Sequence, residues 1–353
     1  MADKPFVSTE DLGATPTGAI AIEPVRGDVI GQRWQLEEFI ARGGMGRIWR
    51  ATDLRLQETV AIKLMDPALV ETDIARSRFM FEAQAAAALR GPNVVAVLDF
   101  NVDAVRGLPY MAMELLRGED LARRLERGPL SFEQTLAIIA DVCAAIGRAH
   151  RAQIIHRDLK PGNVFLLAEG AGAVAKVLDF GIAKLAPGLR AGDSPRTQTG
   201  AMLGTPDYMA PEQIENAQRV DHRADLWSIA VMTYECLTGV RPFRANSLVE
   251  LIREVCFGTP VPASKLAVVP RGFDAWFERA VNHNLQRRFA SAEELLEALR
   301  ALDPANAGPA GSEDAKAKPE RQGPKARSER PCPRPRGPGP PTPTRSTSAC
   351  SRS

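Results

Sequence analysis

Apolar residues change their rhythm along this chain. Between about residues 31 and 118 they gather in short runs rich in β-branched side chains, and from about residue 119 they recur at helical spacing. Thr59-Val60-Ala61-Ile62-Lys63-Leu64 has the composition of a strand, as do Ile48-Trp49-Arg50-Ala51 and the longer run Asn93 to Phe100. A helix is predicted from about Arg76 to Leu89. In the second half, Ser131-Phe132-Glu133-Gln134 has the form of a capping box, and Leu136, Ile139, Ala140, Cys143 and Ile146 mark one face of the helix it opens. Leu226 to Leu237 is apolar nearly all round and stops before Gly239, as a helix buried in the middle of a lobe would. Ser291-Ala292-Glu293-Glu294 opens a last helix that ends near Leu302.

The two ends of the chain break the pattern. Residues 1–30 mix Ser, Thr, Pro, Gly and acidic residues without periodicity, and read as a flexible leader. Residues 303–353 hold eleven prolines and too few large apolar residues to offset chain entropy, so disorder is expected. That tail carries ten Lys/Arg against five Asp/Glu, or +5, which leaves −3 for residues 1–302 of a chain whose net charge is +2. So small a net charge gives no case for nucleic acid or a membrane surface as partner. The Pro-x-x-Pro spacings of the tail are what chance produces at this proline content. The five cysteines are scattered, odd in number and never in a Cys-x-x-Cys pair, which argues against a disulfide framework or zinc ribbon. Cys143, Cys236 and Cys256 fall in apolar helical surroundings and are expected in the core; Cys332 and Cys350 lie in the tail. With no run of about 18 apolar residues and no hydrophobic signal segment after Met1, a soluble, cytoplasmic protein is expected.

The chemistry is concentrated in His156-Arg157-Asp158-Leu159-Lys160-Pro161-Gly162-Asn163, followed by Asp179-Phe180-Gly181. This pair of motifs resembles the catalytic loop and metal-binding triplet of protein kinases. Upstream, Ala41-Arg42-Gly43-Gly44-Met45-Gly46-Arg47-Ile48 resembles the kinase glycine-rich loop, with Ala41 where the first glycine usually stands. A dinucleotide fingerprint would need a helix directly afterwards, and Ile48 to Ala51 reads as strand instead. Val60-Ala61-Ile62-Lys63 is similar to the strand motif whose lysine holds the α- and β-phosphates, and Glu82 is placed to pair with that lysine. Lys63, Glu82, Asp158, Asn163 and Asp179 follow one another in kinase order at kinase-like separations.

What the resemblance implies is specific. Asp158 accepts the proton of the acceptor hydroxyl or orients it, and Lys160 neutralises charge on the transferred phosphoryl group. Asn163 and Asp179 ligate Mg²⁺, a hard cation that prefers oxygen. ATP is held by Ala41, Gly43, Gly44, Gly46, Ile48, Ala61, Lys63 and Glu82, and at the junction of the two lobes by Glu114 and Leu116. His156 is a packed structural residue, Glu212 pairs with Arg288, and Asp225 anchors the catalytic-loop backbone. The ending Gly204-Thr205-Pro206-Asp207-Tyr208-Met209-Ala210-Pro211-Glu212 closes a segment resembling an activation segment, and Lys160 with Thr205 is the serine/threonine-specific combination. Arg157 is the regulatory arginine of kinases switched on by phosphate in that segment, with Thr197 and Thr199 as the acceptors and Ser194 as a weaker one.

The wording Gly-Gly-Met-Gly and Tyr-Met-Ala-Pro-Glu-Gln is similar to bacterial eukaryotic-like (Hanks-type) serine/threonine kinases. The implied fold is α+β in class and two-lobed: a leader at 1–30, a kinase domain at 31–302 with a β-rich N-lobe (about 31–113) and a mainly helical C-lobe (about 117–302), and a basic tail at 303–353. ATP and Mg²⁺ are the implied cofactors and proteins with Ser/Thr acceptors the implied partners, with homodimerisation left open. The rival reading is a pseudokinase acting as a binding scaffold, which rests on Ala41 alone.

Overall fold

The computed structural model describes residues 23–43, 46–70, 72–168, 174–180, 206–215 and 220–302. Gly44, Gly181, Ser194, Thr197, Thr199, Thr205, Cys332, Cys350, the expected tail and residues 1–22 of the expected leader fall outside that set. The end of that leader is corrected: Val29 and Ile30 pair with Gln35 and Trp34 as a short strand and Ile30 is fully buried, so the folded domain begins before residue 31. The chain divides into two units, 1–308 and 309–353, and every described residue belongs to the first.

The first part is a sheet built on alternation. Strands β1 (Val29–Ile30), β2 (Trp34–Arg42), β3 (Gly46–Asp53) and β4 (Thr59–Met65) follow in sequence, then helix α1 (Asp73–Ala88), then β5 (Val97–Val102) and β6 (Pro109–Glu114). The strand order is β1-β2-β3-β4-β6-β5 and every neighbouring pair is antiparallel. One face buries Trp34, Leu36, Ala51, Val60, Ile62, Leu64, Tyr110 and Ala112. The other receives α1, where Met65, Phe79, Ala83, Leu108 and Met111 pack together. Phe79, Glu82, Ala83 and Ala86 are buried in α1 at a spacing of three and four residues, which is one helical face, and Ala85 beside them is buried against the core of the helical part. That face also carries Glu82 towards the sheet.

Two further boundaries differ from the expectation. Helix α1 begins at Asp73 rather than near Arg76, with an extended Thr72 at its N-cap and the Asp73 carboxylate in the first turn, where the helix dipole favours it. The run Asn93 to Phe100 is split: β5 starts only at Val97, because residues 93–95 pair instead with a later strand, Val177 donating to the Asn93 carbonyl and Val95 to that of Val177.

After the sheet come β7 (Gly118–Asp120), α2 (Leu121–Leu125), α3 (Phe132–Arg151), β8 (Val164–Leu167) and β9 (Ala175–Val177). The three strands form a small antiparallel sheet in the order β7-β8-β9. Helices α4 (Pro211–Glu215), α5 (Arg223–Thr238), α6 (Leu248–Phe257), α7 (Phe273–Ala280) and α8 (Ala292–Arg300) complete the described chain. The capping box opening α3 is formed: Ser131 Oγ accepts from the Gln134 N–H at 3.1 Å, and Gln134 Oε1 from the Ser131 N–H at 3.2 Å. Helix α5 is buried on nearly every side, and it ends where Gly239 takes a left-handed φ of 72°. Around it Ile139, Ile146, Trp227, Tyr234, Phe273, Phe289 and Leu295 share one core. Cys143, Cys236 and Cys256 are buried free thiols, as their apolar neighbours suggest. Among the described residues no helix is long and apolar enough to cross a membrane.

Candidate active site

Lys63 lies in β4, the strand between β3 and β6, and its ammonium reaches Glu82 Oε1 at 2.7 Å and Asp179 Oδ1 at 2.8 Å. Burial alone would push a lysine down, but the facing carboxylates of Asp179 and Glu82 more than reverse this and hold Lys63 above its ordinary value. It is therefore a fixed cation at neutral pH. The strand, α1 and the segment after β9 each contribute one member of this triad. Asp179 has a φ of 34°, uncommon for a residue with a side chain.

The loop before β8 is held from beneath. Asp225, on α5 and fully buried, accepts from the His156 N–H at 2.9 Å and the Arg157 N–H at 2.8 Å, and His150 Nε2 lies 2.8 Å from its Oδ2. Burial would raise this carboxyl, but the His150 bond, the nearby imidazoles and the backbone N–H of Arg157 win and lower it. Arg157 needs such an anchor, since its φ of 64° is left-handed. His156 is also fully buried, which pushes its imidazole below the ordinary value. The neutral ring has a defined tautomer: Nδ1 accepts from the Asp158 N–H at 3.3 Å, so Nε2 donates to the Leu178 carbonyl at 3.0 Å. Phe180, buried, packs on that ring with 4.8 Å between centroids.

With its backbone fixed, the loop presents Asp158. Its Oδ2 accepts from Lys160 Nζ at 2.8 Å and from Asn163 Nδ2 at 3.3 Å, and the Asn163 amide also donates to the Asp158 carbonyl at 2.8 Å. The Leu178 N–H bonds the Asn163 carbonyl at 2.8 Å, which brings the residue before Asp179 against the loop. Asp158, Lys160, Asn163, Asp179, Lys63 and Glu82 thus form one linked constellation. Asn163 uses its amide N–H groups on Asp158 and keeps its side-chain carbonyl as an oxygen donor. Together with the Asp179 carboxylate this is an all-oxygen set, and it suits Mg²⁺.

Above it, Gly43 N–H bonds the Gly46 carbonyl at 2.8 Å across the glycine-rich hairpin. A Cβ on Gly46 would run into the Leu64 carbonyl oxygen of β4, so only glycine allows the two strands to lie this close. Ala41 pairs with Ile48 in the ladder and is not among the described residues with positive φ, so its methyl group sits on ordinary strand backbone. Ala61, Val95 and Met113 form an apolar cluster with Ile48, Leu115, Leu116 and Leu178 packed on it. This is a surface suited to a flat aromatic base. Glu114 ends β6 at the edge of that cluster.

The supporting pair also forms. Arg288, whose side chain is fully buried, donates to both oxygens of Glu212 at 2.6 and 2.8 Å. Three contacts were not singled out in the sequence. His150 shares Asp225, Gln213 Nε2 donates to the Arg157 carbonyl at 2.9 Å, and Lys176 bonds Glu114 at 2.6 Å. Of these only Lys176 leaves a local signal, as a charge inside the apolar run Val174-Ala175-Lys176-Val177-Leu178 directly before Asp179.

A small curled sheet with one helix, a helical body, and a lysine, a glutamate and two catalytic-type aspartates between them define a protein kinase domain. The protein kinase domain family model matches residues 34–298, and the chain belongs to that family. Within it the chain falls in the bacterial eukaryotic-like serine/threonine branch. It is 36% identical over 282 residues to the serine/threonine-protein kinase pkn3 of Myxococcus xanthus, covering 78% of this chain and 51% of that protein. It is 37% identical over 276 residues to the probable serine/threonine-protein kinase PknB of Bifidobacterium longum, covering 75% and 39%. The chain therefore spans about half or less of the length of these relatives. The solved kinase domain of Mycobacterium tuberculosis PknI has the same fold, with a TM-score of 0.62 at 23% identity over 79% of this chain and all of that one.

Proposed function

We propose that this domain is a serine/threonine protein kinase that moves the γ-phosphoryl group of ATP to hydroxyls of protein substrates, with Mg²⁺ as its metal. The observation that carries the reading is Asp158, whose carboxylate is held by Lys160 and Asn163 on a loop anchored at buried Asp225, beside the Lys63–Glu82–Asp179 triad. Asp158 takes the acceptor's hydrogen bond and then its proton, as the hydroxyl oxygen bonds to the γ-phosphorus and the bond to the bridging oxygen of ADP breaks. Lys160, 2.8 Å from Asp158, offsets negative charge on the moving group, and Lys63 binds the phosphates that stay on ADP. A bound Mg²⁺ would neutralise phosphate charge, held by Asn163 and Asp179. Glu82 keeps Lys63 pointed into the cleft, and Ile48, Ala61, Leu116 and their neighbours take the base.

Self-phosphorylation at Thr197 or Thr199 belongs to this reading, with the Arg157 guanidinium as the group that receives the phosphate. The family supports protein substrates, and the scattered cysteines support a reducing, cytoplasmic setting. The test is transfer of label from γ-labelled ATP to a generic protein acceptor, followed by phosphoamino-acid analysis. Label on serine or threonine that disappears on chelating Mg²⁺ is expected. Label on tyrosine would remove the acceptor assignment, and absence of label from a protein that binds ATP would favour a scaffold.

A further inference from the structure

Glu114 stands where the two halves of the domain join, and its carboxylate bonds in two directions. Oε1 accepts from the Ala96 N–H at 2.7 Å and from the Lys176 ammonium at 2.6 Å, while the Glu114 N–H donates to the Ala96 carbonyl at 3.0 Å. Lys176 is the middle residue of β9, 62 positions along the chain and three before Asp179, and only 13% of its side chain is exposed. Strand β9 is fastened on its other contacts as well. The Val177 N–H donates to the Asn93 carbonyl and the Val177 carbonyl accepts from the Val95 N–H, Asn93 Nδ2 reaches the Ala175 carbonyl at 3.2 Å, and Leu178 is bound to both Asn163 and His156. A continuous set of bonds therefore runs from the end of β6 through β9 to Asp179.

We infer that the Lys176–Glu114 ion pair is a positioning strap for the nucleotide, setting the spacing between the junction at Glu114 and the phosphate end of the cleft at Asp179. The inference rests on the nucleotide reading above. Its warrant is the shape of the site: Ile48, Ala61, Met113, Leu116 and Leu178 cluster between these two ends, so a ligand filling that space is gripped at both at once. A ligand gripped at two ends is sensitive to their separation, and displacement by an ångström is enough to spoil alignment. An exposed ion pair would carry little, since solvent screens it and two long side chains must be ordered. Here Lys176 is shielded and lies on the strand that delivers Asp179, and Glu114 is already fixed by a backbone donor. Lys176 acts through β9 and is a positioning residue, not a catalytic one.

The experiment is a double-mutant cycle on nucleotide binding. Lys176→Met keeps the bulk of the stem and removes the charge, and Glu114→Gln keeps an acceptor for the Ala96 N–H. Affinity for Mg²⁺–ADP, KM for ATP and KM for the acceptor are measured for the parent, both single variants, the double variant and Lys176→Arg, below the melting temperature of each. Each single variant should weaken ADP binding and raise KM for ATP by about fivefold with the acceptor KM unchanged, and the double variant should be no worse than the poorer single one. Lys176→Arg should recover most of the loss. Nucleotide affinities within about twofold of the parent, or losses that multiply in the double variant, would overturn the strap. Failure of the parent to bind ADP would instead overturn the nucleotide reading beneath it, so the two failures are distinguishable.

Discussion

The catalytic loop and the glycine-rich hairpin face the same cleft but are held in opposite ways. The loop stands on Asp225 and His156, both fully buried, and on a helix enclosed on nearly every side. The hairpin is exposed from Glu38 to Arg42, Gly43 N–H bonds the Gly46 carbonyl across its tip, and its ties beyond the β2–β3 ladder among the described residues include Arg42 to Asp66 at 2.7 Å, with the arginine side chain 64% exposed, and Arg47 to Glu23 at 2.5 Å, with the glutamate side chain 68% exposed. Phosphoryl transfer needs its proton acceptor and metal ligands held to a fraction of an ångström, whereas the covering loop must let nucleotide in and out. The difference is set by burial: desolvated hydrogen bonds resist opening, and a solvated arginine contributes little.

Removing the Asp225 carboxylate should have the largest effect. Asp225→Ala leaves the His156 and Arg157 N–H groups without their acceptor in the core and should cost roughly 3–5 kcal/mol in denaturant unfolding, with activity lost at temperatures where the fold persists. If its stability matches the parent, the loop is not supported from α5.

Acid should act on the same region. Burial keeps His156 below its ordinary value, so as pH falls the unfolded chain takes up this proton first. The stability from its neutral burial is complete above about pH 6.5 and declines below it towards the depressed folded value, by at most about 1.4 kcal/mol per pH unit. Asp225 is shifted down instead, so its contribution is present above the ordinary carboxylate range and is lost only as pH falls beneath it. His156→Gln should flatten the decline between about pH 6.5 and 5 in melting curves. An unchanged slope would assign the decline to other groups.

Changes at the hairpin should be smaller in stability and larger in nucleotide kinetics. Asp66→Asn weakens the Arg42 tie and should cost about 1 kcal/mol or less while raising KM for ATP more than it lowers kcat. Smallest of all is Ala41→Gly, which restores the usual glycine. Because Ala41 pairs with Ile48 on ordinary strand backbone, the glycine only adds freedom to the unfolded chain and should cost about 0.5 kcal/mol. A marked rise in kcat would show that the alanine restrains the hairpin.

The same contrast explains what could be read before the structure. Lys63, Glu82, Asp158, Asn163, Asp179, Asp225 and the Glu212–Arg288 pair were recognisable because each belongs to a motif whose residue types chemistry constrains. The helices around α5 were recognisable from their caps and apolar spacing, as at Ser131 and Gly239. The start of β5 was not, because Asn93 to Val95 look like strand and are strand-like, but their partner Val177 lies some eighty residues away. His150 and Gln213 were missed for a similar reason: a histidine near the end of α3 and a glutamine in α4 have no local pattern that points to Asp225 or to the Arg157 carbonyl.

The decisive measurement is phosphosite mapping by mass spectrometry after incubating the purified protein with Mg²⁺ and ATP, beside an Asp158→Asn variant of equal melting temperature. Phosphate on Thr197 or Thr199 in the parent and none in the variant is the expected result, since the amide accepts no proton. Equal phosphate in both proteins would contradict the role of Asp158, and none in a parent shown to bind nucleotide would contradict catalysis by this domain.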